Sequence, residues 1–270
     1  MHDLAVCSQI SCVYSIPEGR RSSCRFTSSW HARVARSYES LVRDTPSVSR
    51  PQQSAQSSVP ESAAAGRHVL VLMHGYGGNK RELFERIHPV VDDDVVLVAL
   101  RGPVTEGAGH AWIPMETSLA AVTTEGIARV ARDGARLVLD WLTTLPPFQS
   151  VGLLGVSQGA VLALHLLRLE PARFSYALNL SGYVLAGEEV GDAELRQRRP
   201  PVFWGRGEYD CVIPSSYVER TEKWLPLHST VTANVYPVGH EESAPELADA
   251  AAFVRQMTRS RLHRSSNRSG

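Results

Sequence analysis

Short apolar runs rich in β-branched residues recur along the middle of the chain, and stretches with a helical period separate them. The runs are His68–Met73, Val95–Leu100, Val151–Val156, Tyr176–Ser181, Val202–Gly205 and Val231–Val238. They are nearly continuous in apolar residues, the pattern of parallel strands covered on both faces. Between them, Asn79-x-x-Glu82 reads as a helix N-cap, with Leu83, Ile87, Val90 and Val91 on one face. Thr117–Leu145 carries Ile127, Val130, Ala131, Val138, Trp141, Leu142 and Leu145 at helical spacing. Ala160–Leu169 is apolar almost all round and predicts a buried helix. Ser216-x-x-Glu219 and Ser243-x-x-Glu246 read as capping boxes of two further helices, the second placing Leu247, Ala250, Val254 and Met257 inward. This alternation predicts an α/β fold: a mostly parallel central sheet with helices on both faces and sites at the carboxyl ends of the strands.

The flanks differ. Residues 1–66 hold 15 serines and scattered arginines, with no sustained period. Such a segment buries too little apolar surface to offset its ordering entropy and is expected to be a disordered Ser/Arg-rich extension, with a short strand or helix around Ala32–Val42 as the one exception. The folded domain is expected over 67–258, followed by a basic flexible tail over 259–270; Arg255–Gly270 carries five arginines and no acid. The 28 basic residues balance 28 acidic ones, so net charge gives no signal for nucleic acid or a membrane surface. No apolar run reaches the roughly 18 residues of a membrane span, and Met1-His2-Asp3 opens no secretory signal. Cys7, Cys12, Cys24 and Cys211 do not form a disulfide framework. A cytoplasmic protein is expected, with Cys211 as a buried packing residue.

Candidate chemistry falls at the predicted strand ends. Gly155-Val156-Ser157-Gln158-Gly159 lies between a strand and a helix, where a serine on a sharp turn can act as a nucleophile. Glycine two positions either side avoids a collision in that turn. A serine hydroxyl needs a base within reach, and the base needs an acid to fix its tautomer. His240 follows the last strand behind Gly239, and Asp210 follows the strand before it. Rival acids are Asp192, Glu208 and Asp249; rival bases are His74, His110, His165 and His228. The order Ser157, Asp210, His240 is that of α/β-hydrolases. A third glycine-rich cluster, His74–Asn79, could turn backbone N–H groups toward a reacting carbonyl.

These motifs together resemble the phospholipase/carboxylesterase family, which includes acyl-protein thioesterases. The resemblance rests on His74-Gly75-x-Gly77, Gly155-x-Ser157-Gln158-Gly159, Gly207-x-x-Asp210-x-Val212-Ile213-Pro214 and Gly239-His240. Arg101-Gly102-Pro103, Ala111-Trp112 and Glu125-Gly126-Ile127 add to it, and it covers roughly 68–257. It implies an α/β-hydrolase fold, serine esterase or thioesterase activity through a Ser157–Asp210–His240 triad and an acyl-enzyme, and no cofactor. It also implies an oxyanion hole from the backbone N–H groups of Tyr76 and Gln158. The chain departs from the family at Ile113-Pro114 and at Glu241-Glu242, and no antiparallel opening strand is visible before Gly66.

A small-molecule ester or thioester of a small or medium acyl group is the expected substrate. Trp112, Ile113, Met115, Tyr183 and Val212 are the expected substrate-binding residues, although each has equal claim as core packing. Short loops, Gly102–Met115 and Tyr183–Pro200, leave no room for a lid domain. No metal is expected, since the histidines lack close paired spacing. A monomer or homodimer is expected. Two other readings keep the fold: perhydrolase-type acyl transfer to peroxide, and a catalytically silent scaffold that binds a ligand.

Overall fold

Strands β2 (His68–Met73) and β3 (Val95–Leu100) are buried at every position, and β6 (Ser150–Val156) at every position but its last. Residues apolar on both sides can be satisfied only in the middle of a sheet covered on both faces, and that is where these strands lie. The computed structural model describes residues 55–114 and 124–266. Its seven-stranded sheet has the order β1-β3-β2-β6-β7-β8-β9, with β1 at Ala55–Ser57, β7 at Tyr176–Leu180, β8 at Pro201–Gly207 and β9 at Thr230–Tyr236. Every pairing is parallel except β1 with β3. A separate two-stranded hairpin joins β4 (Val104–Glu106) to β5 (Gly109–Ala111).

Six helices cover the sheet: α1 (Lys80–Ile87), α2 (Thr124–Thr143), α3 (Gln158–Leu169), α4 (Asp192–Arg198), α5 (Ser215–His228) and α6 (Ala244–Ser266). On one face, Val138 and Trp141 of α2 and Leu162 and Leu166 of α3 pack with Val71, Leu153 and Trp204. On the other, Leu83 and Ile87 of α1 and Phe253 and Val254 of α6 pack with Leu70, Leu72 and Phe203. The last strand, β9, has a partner on one side only and is largely exposed or half-buried.

Several boundaries differ from expectation. Residues 55–66 belong to the fold rather than to an extension: β1 pairs antiparallel with β3, and Ala64 is buried. A three-residue strand is too short to show a period. Residues 1–54, including Ala32–Val42 and three of the cysteines, lie outside the described residues. The expected tail from Arg255 is instead the end of α6, helical to Ser266, with Arg255 and Arg259 both near Asp92. Asn79 caps α1 as expected, and Ser243 and Glu246 bond reciprocally at the start of α6. Ser216 caps nothing, because α5 begins at Ser215 with Pro214, φ −58°, at its N-cap, two residues before the expected cap. The β4–β5 hairpin and α4 stand where only loops were expected.

Two buried titratable groups give this fold opposing pH responses. Burial lowers the pKa of His165, on α3, to about 4, the nearby Glu189 carboxylate offsetting part of that. Burial raises that of Glu246, on α6, to about 7, against the Ser243 amide and with help from Glu242. Between pH 4 and 6.5 the unfolded chain carries a proton on residue 165 that the native state lacks, so stability rises with pH. Between 4.5 and 7 the native state carries a proton on Glu246 that the unfolded chain lacks, so stability falls with pH. Each slope is at most about 1.4 kcal/mol per pH unit. Urea unfolding from pH 4.5 to 6.5 should therefore show a steeper rise with pH for Glu246→Gln than for wild type, and a shallower rise or a fall for His165→Leu. Parallel curves for all three would refute the assignment.

Candidate active site

The turn after β6 carries Ser157 at φ 51° and ψ −115°, a region that residues with a side chain rarely occupy. The sequence makes this turn accessible by removing neighbours: a Cβ at Gly155 would overlap the Gly159 carbonyl, and one at Gly159 would overlap the Met73 carbonyl. The Ser157 N–H is held by the Leu180 carbonyl at 2.8 Å, tying the elbow to the end of β7. The serine thus stands where the central strand ends and α3 begins.

His240 reaches it from beyond β9. Its Nε2 lies 2.8 Å from Ser157 Oγ and its Nδ1 2.7 Å from Asp210 Oδ2. A carboxylate can only accept, so Nδ1 carries the proton and Nε2 is left to accept from the serine hydroxyl. Asp210 is itself fixed: its Oδ1 accepts from the N–H groups of Val212 at 2.8 Å and Ile213 at 3.1 Å. Burial alone would raise the Asp210 carboxyl, but the His240 ring and those two amides outweigh it and hold the group below the usual aspartate value. The His240 side chain is 19 % exposed and that of Asp210 only 8 %, so the imidazole is the more open of the two to solvent.

The rival groups are occupied elsewhere. Asp192 pairs with the buried Arg168, and Asp249 accepts from the Tyr236 hydroxyl at 2.8 Å. Glu208 is exposed. His74 uses both ring nitrogens structurally: the Gly102 N–H donates to Nε2 at 3.0 Å, leaving Nδ1–H to donate to the Gly75 carbonyl at 2.7 Å. Burial lowers its pKa, which favours that neutral form. His165 lies inside α3 at 1 % exposure. His228 stacks on Trp224 at 4.0 Å, and His110 sits in β5.

The candidate oxyanion donors frame the serine. The loop after β2 lies against it, a Cβ built at Gly75 falling 3.5 Å from Ser157 Cβ, and Tyr76 is the next residue. Gln158 opens α3, where N–H groups have no carbonyl one turn back to meet. Its side chain has a role that motif reading missed. Oε1 accepts from the N–H groups of Trp112 at 2.7 Å and Ile113 at 3.2 Å, and Nε2 donates to the Ile113 carbonyl at 2.5 Å. No sequence signal distinguishes such a clamp from a solvent-facing glutamine.

The expected substrate contacts scatter. Trp112 and Ile113 are each 2 % exposed and belong to the core. Tyr183 packs against Tyr217, with ring centroids 4.7 Å apart, and burial pushes its hydroxyl up to about 12. Val212 is 49 % exposed on the rim. Met115 lies outside the described residues. Cys211, expected to be buried, is exposed beside Asp210. A cavity of about 220 Å³ adjoins the acid, between Ser181, Trp204, Arg206, Asp210, Ile213 and Val218. Its lining is more mixed than the apolar pocket that the sequence suggested. A larger hollow of about 450 Å³ lies near Phe148 and Ser150, at the opposite end of β6 from Ser157. Among the described residues no group of three or more His, Cys, Asp and Glu could hold a metal ion, and no helix is long and apolar enough to cross a membrane.

Comparison with known proteins agrees with this architecture. The crystal structure of esterase PE8 is similar over 76 % of this chain and 98 % of its own, with a TM-score of 0.60 and 26 % identity. Acyl-protein thioesterase 2 from Zea mays aligns over 76 % of this chain and 98 % of its own, with a TM-score of 0.59 and 21 % identity. The Bacillus cereus carboxylesterase aligns over 75 % and 93 %, with a TM-score of 0.56 and 18 % identity. At those lower identities the last two establish the shared fold. Among curated proteins, none matches the chain in sequence. The model of the phospholipase/carboxylesterase family matches residues 54–258. That span runs from β1 into α6, so this chain is an α/β-hydrolase and an esterase-type hydrolase, and it belongs to the phospholipase/carboxylesterase family.

Proposed function

We propose that the protein hydrolyses carboxylic esters or thioesters of small or medium acyl groups, with Ser157 as nucleophile, His240 as general base and Asp210 as its orienting acid. What carries the reading is the unbroken chain from Ser157 Oγ to His240 Nε2 and from His240 Nδ1 to Asp210 Oδ2, at 2.8 and 2.7 Å. His240 takes the hydroxyl proton as Ser157 Oγ attacks the acyl carbonyl. The ionised Asp210 holds the ring's orientation and favours its cation. The backbone N–H groups of Tyr76 and Gln158 meet the oxyanion, each such donor typically worth about 3 kcal/mol of transition-state stabilisation. The imidazolium protonates the departing alcohol or thiol, and water repeats the cycle on the acyl-enzyme. The short loops that the sequence offers around the elbow favour short and medium acyl chains. The similar solved structures include an esterase, a carboxylesterase and an acyl-protein thioesterase, which supports both leaving groups as candidates.

Purified protein should take up a fluorophosphonate at Ser157, located by peptide mass, and should turn over p-nitrophenyl and acyl-thiol substrates with a preference for shorter chains. A folded sample that neither labels nor turns over would refute the proposal.

A further inference from the structure

Val156 of β6, Leu180 of β7 and Gly205 of β8 are neighbours in register. The residues that follow them, Ser157, Ser181 and Arg206, therefore stand in a row at the carboxyl edge of the sheet. With strands about 4.8 Å apart, the Ser181 backbone is one spacing from Ser157 and that of Arg206 two. Ser181 and Arg206 line the cavity of about 220 Å³ beside Asp210, together with Trp204, Glu208 and Glu219. Ser181 and Trp204 are 4 % and 5 % exposed, yet Ser181 Oγ and Trp204 Nε1 have no hydrogen-bond partner among the described residues. Buried polar groups are ordinarily satisfied, so a hydroxyl and an indole N–H left over at a cavity call for a ligand with polar atoms. Arg206 lies half-buried over the Trp204 ring, its guanidinium carbon 5.6 Å from the centroid, and makes no ion pair among the described residues.

The lining selects a chemical class. An alkyl chain would leave the indole N–H and the serine hydroxyl unpaired. An anion would meet three carboxylates, Glu208, Asp210 and Glu219, against one guanidinium. An ammonium group could accept nothing from Trp204 or Arg206, which only donate. A neutral hydroxyl suits all of them, because it accepts from the indole and the guanidinium and donates to Ser181 Oγ or a carboxylate. Position selects the part of the substrate. Tyr76 follows β2, on one side of β6, and the cavity lies on the other side, toward β8. His240, bonded to Asp210 at the cavity wall, returns its proton to the leaving oxygen, so the leaving group lies on that side. We propose that the cavity is a leaving-group subsite for a neutral, hydroxylated alcohol, held by Trp204 Nε1–H, Arg206 and Ser181 Oγ. The proposal rests on the reading of Ser157 as nucleophile and His240 as base. At roughly 30 Å³ per water-sized group the cavity takes about seven, the scale of a glycerol unit.

The test compares two esters of one acid, glycerol monobutyrate and propyl butyrate, on the full-length protein, with released butyrate as the readout. Wild type should favour the glycerol ester by about tenfold or more in kcat/KM, because the alkyl analogue leaves buried polar groups unpaired. Trp204→Phe removes the indole N–H and keeps a ring, and Arg206→Met keeps a stem over that ring without the guanidinium. Each should lower the ratio of the two kcat/KM values about threefold or more. The ratio within one sample is insensitive to partial loss of fold, so a merely structural role would not move it. The butyrate ester of glycerol 3-phosphate should be cleaved more slowly than the glycerol ester, since the carboxylates of the lining repel its phosphate. A wild-type ratio near one, a ratio unchanged in both variants, or faster cleavage of the phosphorylated ester would each overturn the subsite and leave the triad standing. A folded sample that cleaves none of the three esters would overturn the reading of the triad, and the subsite with it.

Discussion

Ser157→Ala is expected to lower kcat for p-nitrophenyl ester hydrolysis by about 10⁴-fold or more while the protein stays folded. In the proposed reaction the hydroxyl oxygen is the atom that forms the acyl bond, and alanine supplies none. What survives is the contribution of the oxyanion donors and of binding. The fold should tolerate the change, because the Ser157 side chain has one bond, to His240, and the elbow is held through its backbone N–H to Leu180. Alanine also inherits the same strained φ of 51°, so backbone strain is neither added nor relieved. Steady-state kinetics with circular dichroism on the same sample checks both halves. A folded variant that retains even a tenth of wild-type turnover would remove Ser157 from the chemistry.

Asp192→Ala should cost about 3–5 kcal/mol of unfolding free energy, the usual loss when one partner of a buried ion pair is deleted. Arg168 is 1 % exposed inside α3. Its guanidinium donates to both Asp192 oxygens, at 2.8 and 2.7 Å, and to the carbonyls of Leu185 and Gly187. Asp192 also accepts from the Glu189 N–H at 3.0 Å. Burial alone would raise the Asp192 carboxyl, but Arg168 and that amide outweigh it and keep the group ionised. With the carboxylate gone, a full positive charge stays in the core with two carbonyls for company. The paired variant Arg168→Met/Asp192→Leu should recover much of the loss, since it strands neither charge. Urea unfolding of the single and paired variants decides the matter. Equal losses in both would mean that packing, not the stranded charge, sets the cost.

The elbow was legible because its chemistry constrains the backbone, and a backbone that tight admits only glycine at 155 and 159. The order of the proposed serine, acid and base was legible because each follows a strand whose apolar run is plain. The acid–Arg168 contact was not. Asp192 read as one more polar residue before a strand, although a lone arginine in the otherwise apolar run Ala160–Leu169 was a clue that a buried partner must exist. β1 escaped notice because three residues show no period, and the cap at Ser216 was misplaced because Pro214 fixes the helix start first. Trp112 and Ile113 show a further limit. An aromatic or aliphatic side chain near a strand end looks the same in sequence whether it faces a pocket or a core, and only the path of the excursion after β3 decides. The Gln158 side chain, which acts through hydrogen bonds to a distant segment, leaves no pattern at all.

The proposed nucleophile and its proposed base are rooted in regions of very different security. Ser157 grows from the centre of the sheet, flanked by neighbours on both sides. His240 hangs from the outermost strand, which is anchored along one margin and open to water along the other. On the proposed reading, loosening that margin would disarm the enzyme while its interior stayed intact, and the durability of the activity would be set at the periphery of the molecule and not by its core.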